Sequence, residues 1–316
     1  MKKIVIGTRG SRLALWQANF VAEQLKKIVS CEIVIKKIKT TGDKILDFPL
    51  TRIEGKGLFV KEIETALLNG EVDLAVHSMK DVPTDLPEGL VIGAMMPRED
   101  PLDALVSRDG FTLEGLPNGA VIGTSSLRRR AQLLHFRSDF TVTDVRGNLD
   151  TRLKKLESGK FDAIVVAAAG LIRMGWSDRI TVRISTDVCL PAVGQGAVGV
   201  EIRGEDEEMA EPASVINHAE TFASISAERA LLKRLEGGCQ IPIGALGIVE
   251  EGELKITAAV ANLDGSRLVR HSISGSPGRA EEVGIALAER LLELGANEIL
   301  SEIRAMSIEP RILRGA

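Results

Sequence analysis

The chain repeats itself. Val5-Ile6-Gly7-Thr8, followed by Arg9-Gly10-Ser11 and a stretch of helical apolar period, returns as Val121-Ile122-Gly123-Thr124, followed by Ser125-Ser126 and a second such stretch. Both copies read as strand, tight turn, helix. A second pair links Asn69-Gly70-Glu71-Val72-Asp73-Leu74-Ala75-Val76 with Ser158-Gly159-Lys160-Phe161-Asp162-Ala163-Ile164-Val165. There a helix ends at glycine and a buried strand follows. Two copies of one α/β unit predict two similar domains, each a largely parallel sheet covered by helices. Ligands of such sheets sit beyond the carboxyl ends of the strands, so both Gly-Thr turns look into one cleft.

The copies are 116 residues apart at the first landmark (7 to 123) and 89 at the second (70 to 159), so the first carries about 27 extra residues. The surplus is expected around Gly42 to Gly57, where Thr40-Thr41-Gly42-Asp43-Lys44 and Glu54-Gly55-Lys56-Gly57 read either as a basic loop over the cleft or as an ordinary surface insertion. Pro97, Pro101 and Pro191 fall between and after the copies, as crossings between domains require. Beyond about Glu220 the pattern changes. A helix over 220–235 precedes Glu236-Gly237-Gly238-Cys239-Gln240-Ile241-Pro242; strands follow near 244–249, 254–261 and 267–274, with a hairpin turn at Asp264-Gly265 and a last helix from about Arg279. This predicts a third, small α+β domain.

A chain of 316 residues has room for three such cores. No stretch nears the ~18 apolar residues of a membrane span, and the amino-terminal apolar run stops at Gly7, too early for a signal peptide; a cytoplasmic protein is expected. Three cysteines without a paired spacing suggest neither disulfides nor zinc, and the four histidines form no ligand cluster; no metal is expected. A net charge of −4 and 3% aromatic residues argue against nucleic acid. The charge is uneven, however. Residues 1–40 hold nine Lys and Arg against two Glu, and residues 124–152 hold six Arg against three Asp. Two basic zones in an acidic chain suit an anionic ligand held between them, or two solvated faces.

Position separates some of these residues. Ser11 is a good N-cap for a helix whose Leu15, Ala18, Ala22 and Leu25 share a face, and its start, with Arg9 and Arg12, makes a carboxylate or phosphate site. Ser126-Leu127-Arg128-Arg129 and Arg146-Gly147-Asn148-Leu149-Asp150-Thr151-Arg152 each follow a strand and open a helix. Arginine forks bind carboxylates in pairs of hydrogen bonds; Arg130 and Arg137 read instead as surface coating. His77-Ser78-Met79-Lys80-Asp81-Val82-Pro83 ends the buried strand of the first copy at its ligand end. An ionised Asp81 accepts from N–H donors and stabilises developing positive charge, though by position alone it forms a turn before Pro83. His77 reads as a packing or hydrogen-bonding residue. Cys239, in a Gly-Gly-Cys turn, is either a small buried cysteine or a loop thiol open to covalent chemistry.

In order along the chain, Thr8-Arg9-Gly10-Ser11-Arg12-Leu13-Ala14-Leu15-Trp16-Gln17, Gly55-Lys56-Gly57-Leu58-Phe59, Val76-His77-Ser78-Met79-Lys80-Asp81-Val82-Pro83, Gly123-Thr124-Ser125-Ser126-Leu127-Arg128-Arg129, Arg146-Gly147-Asn148, Leu190-Pro191-Ala192-Val193-Gly194-Gln195-Gly196 and Leu235-Glu236-Gly237-Gly238-Cys239 together resemble the porphobilinogen deaminase family. The resemblance covers nearly the whole chain. It implies two domains similar to type II periplasmic binding proteins with a cleft between them, plus the small α+β domain. The implied divisions are 1–98 with 195–216 (active-site loop 42–60), 99–194, and 217–316.

The resemblance further implies a dipyrromethane cofactor joined to Cys239 by a thioether. Four porphobilinogens are added to this primer, each losing ammonia, and hydrolysis releases hydroxymethylbilane for tetrapyrrole and haem synthesis. Matched position by position, Asp81 is the catalytic carboxylate, contacting pyrrole N–H groups and stabilising the azafulvenium cation. Ser78, Lys80, Thr124, Ser126, Arg128 and Arg129, with Asp81, hold the cofactor. Arg9, Ser11, Arg146, Arg152 and Arg173 hold substrate and growing chain; Lys56 and Phe59 cover the site, and Gln17 and Gln195 add polar contacts. A monomer is implied. The rival from another class is a non-catalytic small-anion binding protein of periplasmic-binding-protein type, which forms no covalent adduct and leaves the third domain without a purpose.

Overall fold

The computed structural model describes residues 3–44, 57–237 and 241–312. The first unit opens with β1 (Lys3–Thr8), α1 (Arg12–Leu25), β2 (Glu32–Lys37), the four-residue α2 (Thr41–Lys44), α3 (Lys61–Leu68), β3 (Leu74–Ser78) and β4 (Leu90–Met95). The second contains β5 (Asp103–Ser107), β6 (Val121–Gly123), α4 (Leu127–Phe136), β7 (Thr141–Thr143), α5 (Leu149–Glu157), β8 (Ala163–Ala167), α6 (Ala168–Arg173) and β9 (Val182–Ile184). The chain then returns through β10 (Val198–Arg203) and α7 (Glu207–Ile216) to α8 (Ala219–Arg234). Last come β11 (Ile243–Glu250), β12 (Glu253–Ala261), β13 (Leu268–Gly275), α9 (Ala280–Leu291) and α10 (Asn297–Ile312).

The repeat is structural. One sheet runs β2-β1-β3-β10-β4 and the other β7-β6-β8-β5-β9, so β1, β2 and β3 correspond to β6, β7 and β8. In each copy an aspartate before the third strand ties it to the first: Val5 N–H donates to Asp73 at 2.7 Å, and Val121 N–H to Asp162 at 2.8 Å. The largely parallel direction expected of each sheet holds for four of its five strands, with one exception. The fourth strand of each, β10 or β5, is antiparallel to both its neighbours, because it enters its sheet directly from a crossing between the units.

The surplus of the first copy is also divided differently from the expectation. Gly7 pairs with Lys36, 29 residues on, whereas Gly123 pairs with Thr143, 20 residues on. Nine of the 27 extra residues therefore lie between the first two strands, where α1 has 14 residues against ten in α4. The rest lie between β2 and β3, partly outside the described residues. Helix α1 buries Ala14, Gln17, Ala18, Val21, Ala22 and Leu25 against the sheet, with Leu15 only half-buried at the margin.

The third sheet, β11-β12-β13, is an antiparallel meander. Gly265, with φ of +75°, turns the chain between its last two strands. The sheet packs on α8, α9 and α10 around Leu231, Ile256, Leu287 and Ile299. Gly244 lies against the crossing segment: a Cβ there would stand 2.7 Å from Leu190 O. Among the described residues no helix is long and apolar enough to cross a membrane.

Candidate active site

The carboxyl end of β3 leads into a single 3₁₀ turn, Met79–Asp81. Met79 is 1% exposed and fills a slot that only glycine permits: a Cβ on Gly199 would lie 2.1 Å from Met79 Sδ, and one on Gly194 2.9 Å from Met79 Cβ. With Met79 driven inward, Lys80 and Asp81 turn outward. From α8, Arg229 donates to the carbonyls of Val82 (3.1 Å) and Pro83 (2.6 Å), fixing the chain just after Asp81. Ser78 Oγ is hydrogen-bonded by the buried Gln17 Nε2 at 2.8 Å. Arg9 brings Nη1 to 3.8 Å from Asp81 Oδ2, and its guanidinium carbon lies 4.2 Å from the centre of the Phe59 ring. Ser11 caps α1, accepting from Ala14 N–H at 3.2 Å.

The second unit supplies the arginines. Ser126 caps α4 in the same manner as Ser11 caps α1, accepting from Arg129 N–H, and buried Thr124 accepts from Ser126 N–H at 3.3 Å. Arg128 and Arg129 are each 5% exposed and converge on Asp103, which is wholly buried at the start of β5. Asp103 accepts from Arg128 Nη1 (2.6 Å), Arg129 Nη2 (2.7 Å) and Nε (3.0 Å), and Gln195 Nε2 (2.8 Å). Burial opposes its charge, but the two guanidinium groups prevail and hold the carboxyl far below the usual range. Burial pushes the neighbouring Cys189 thiol up to about 12.

Across the gap the positive charges crowd. Lys80 keeps solvent contact yet is hemmed in by protein; this loss of hydration, together with Arg129, lowers its pKa to about 8. Arg152 is lowered to about 10, by burial first and then by Arg129. Its Nε donates to Gly147 O at 2.9 Å, while Arg146 lies half-buried on the same turn. Arg173, at the end of α6, donates to Gly196 O at 2.6 Å and faces Trp16. Lys80 comes from one unit and Arg129 and Arg152 from the other. Lys80 and Arg152 thus each carry a cation that loss of hydration and the neighbouring Arg129 disfavour, a disposition that suits an anionic ligand.

The structure thus brings together Arg9, Phe59, Ser78, Lys80 and Asp81 from the first unit, and relates them by charge to Arg129 and Arg152 of the second. Arg128 and Gln195 are turned inward to Asp103, and Gln17 is committed to Ser78. Arg137 differs from the surface role expected of it: it ties Asp139 to the carbonyls of Leu113 and Leu116. His77 is buried and bonded to Glu201 at 2.9 Å. Cys239 and Lys56 lie outside the described residues. Asp103, Asp43 and the buried pair Glu64 and Glu201 escaped sequence reasoning. Their signal was available for two of them, since Asp103 and Glu201 are acids inside strongly apolar strands.

Comparison with known proteins supplies independent information. The family described as "Porphobilinogen deaminase, dipyromethane cofactor binding domain" matches residues 4–211, and "Porphobilinogen deaminase, C-terminal domain" matches residues 222–293. Among relatives named porphobilinogen deaminase, that of Pelotomaculum thermopropionicum is 55% identical over 304 residues, covering 96% of this chain and 97% of the relative. That of Desulforudis audaxviator is 57% identical over 305 residues (96% and 99%), and that of Geobacter sulfurreducens 52% over 315 (99% and 99%). Of solved structures, the VFT2 domain of Bordetella pertussis BvgS aligns with a TM-score of 0.41 at 14% identity, covering 67% of this chain and 84% of that one. A Salmonella typhimurium periplasmic binding protein with high arginine specificity aligns at 0.39 and 13% (68% and 92%).

Proposed function

The chain belongs to the porphobilinogen deaminase family, and from that premise we propose that it joins four porphobilinogens head to tail, with loss of ammonia, and releases hydroxymethylbilane by hydrolysis. The family match over residues 4–211 and 222–293, with Asp81 held at the carboxyl end of β3 and Arg9 beside it, carries this reading. Lys80 and Arg152, each disfavoured as a cation by lost hydration and by Arg129, fit a dipyrromethane bearing acetate and propionate groups. When bound through Cys239, that group supplies the pyrrole carbon to which the first substrate is joined. Ser78, Lys80, Thr124, Ser126, Arg128 and Arg129 serve it, with Arg128 and Arg129 acting from the Asp103 anchor. Arg9, Ser11, Arg146, Arg152 and Arg173 receive substrate carboxylates; Gln17, Gln195, Lys56 and Phe59 complete the surroundings.

Asp81 is the catalytic residue in this scheme. Its carboxylate accepts from pyrrole N–H and offsets the positive charge that grows on the substrate as its aminomethyl nitrogen leaves. Fixed by Met79 on one side and Arg229 on the other, it needs little reorganisation as that charge appears. The domain division 1–98 with 195–216, 99–194 and 217–316 is supported by the membership of the three sheets. A cytoplasmic monomer that takes no nucleic acid completes the proposal. The non-catalytic anion-binding alternative is not favoured by the family match.

Intact-mass spectrometry of the purified protein tests the tether. The expected result is an increment of two pyrrole units, lost in Cys239→Ser and kept in Cys31→Ser and Cys189→Ser. An unmodified wild-type protein that still makes tetrapyrrole without acquiring a primer overturns it.

A further inference from the structure

Arg9 is engaged before any ligand enters. Its Nη2 donates to Asp43 Oδ1 at 2.5 Å and its Nε to the same carboxylate at 3.2 and 3.4 Å. Phe59 covers its face, and Asp81 stands 3.8 Å from Nη1. Asp43 thus occupies the Nη2 and Nε donors of this guanidinium, with Asp81 beside Nη1. A substrate acetate or propionate that pairs with this fork must take those donors from a resident carboxylate, so one of the two must give way.

We propose that Asp43 is an internal stand-in for the substrate carboxylate, holding Arg9 until substrate takes its place. The proposal rests on Arg9 being a substrate-binding residue. Of the two residents, Asp81 is pinned by the buried Met79 and by Arg229. Asp43 sits on the four-residue α2 with a quarter of its side chain exposed, so water can solvate it on release. The Thr40 hydroxyl, which donates to Asp43 Oδ2 at 2.8 Å, remains as a partner. The pocket is built around this exchange. Gly42 N–H donates to Leu58 O at 2.8 Å, and a Cβ on Gly42 would lie 2.3 Å from the Phe59 ring, so α2 and Phe59 meet only because residue 42 is glycine. Burial alone would raise the Asp43 pKa, but the hydrogen bonds from Arg9 and Thr40 outweigh it and lower it, so the stand-in is an anion at neutral pH.

Steady-state kinetics of the holoenzyme with porphobilinogen separate the outcomes. Ion pairs that keep partial contact with water contribute modestly, so Asp43→Asn is expected to lower KM about three- to fivefold, with kcat changed by less than about twofold. Asp43→Glu, which restores the charge, returns KM toward the wild-type value. Asp43→Ala repeats the test should the amide variant not fold. Phenylglyoxal labelling of Arg9, mapped by peptide mass, should be faster in Asp43→Asn without substrate. A KM that rises or stays unchanged in Asp43→Asn overturns the exchange, since it makes Asp43 a support for Arg9 or a bystander. Arg9→Leu distinguishes the two failures. If it raises KM while Asp43→Asn does not lower it, only the exchange falls; if it leaves KM unchanged, the substrate-binding role of Arg9 falls with it.

Discussion

In the proposed scheme Asp81 works by being charged, fixed and near the reacting atoms at once. Removing one preorganised electrostatic partner of a developing charge commonly costs a hundredfold or more in rate. Asp81→Ala is therefore expected to lower kcat at least about a hundredfold, about 3 kcal/mol in the barrier, while the cofactor mass increment persists. Rapid-quench turnover of holoenzyme checks this, and retention of most of the activity would remove the role. The type of residue at this position was legible in the sequence, because the apolar run Leu74 to Val76 points to a strand whose end must face ligand. That Met79 acts as the wedge aiming Asp81 was not legible. It depends on Gly194 and Gly199, more than a hundred residues away, leaving room for its side chain. Asp103 was hidden for a similar reason: its four donors come from α4 and the returning segment, and nothing local marks them as partners.

Helix α3 illustrates a conflict within an element. It buries Glu64 beside Ile63 and Leu67, facing Glu201 of β10 and, behind it, His77 of β3 and Arg229 of α8. Burial first, and then the charge of Glu201, raises Glu64 to about 7. The folded state thus binds a proton more tightly than the unfolded chain, whose Glu64 titrates near 4.5. Its contribution is full below that lower value and is lost as pH rises through about 7. Glu64→Gln, a permanently neutral mimic, should therefore be more stable than wild type at pH 8 by on the order of 2 kcal/mol, with the gap closing by pH 5. Thermal melts at both pH values decide it; an equal gap at each would refute the titration. Helices with clear periodicity and caps, such as α1 and α8, were readable within a residue or so. The boundary of the surplus was not, since Gly7 and Gly123 mark strands but reveal nothing of how far along their partners lie.

At the scale of the molecule, Glu228 is the bolt. Wholly buried in α8, it accepts from Arg98 beyond β4 (2.6 Å), Gly194 of the crossing segment (2.7 Å) and Gly247 of β11 (2.8 Å). Three parts of the chain therefore share one carboxylate, and breaking such a pair strands a buried cation. Glu228→Gln is expected to cost about 3–5 kcal/mol and to split urea unfolding into two phases as the third sheet separates; a single unshifted transition contradicts it. The antiparallel β10, lying between β3 and β4, has a consequence for synthesis. When the ribosome has delivered residue 190, every strand of the second sheet has emerged, yet the first sheet still lacks the strand that seats β4 and receives Met79. The portion made first is thus the portion finished later, and a nascent chain passes through a stage in which Lys80 and Asp81 exist but have no floor to stand on.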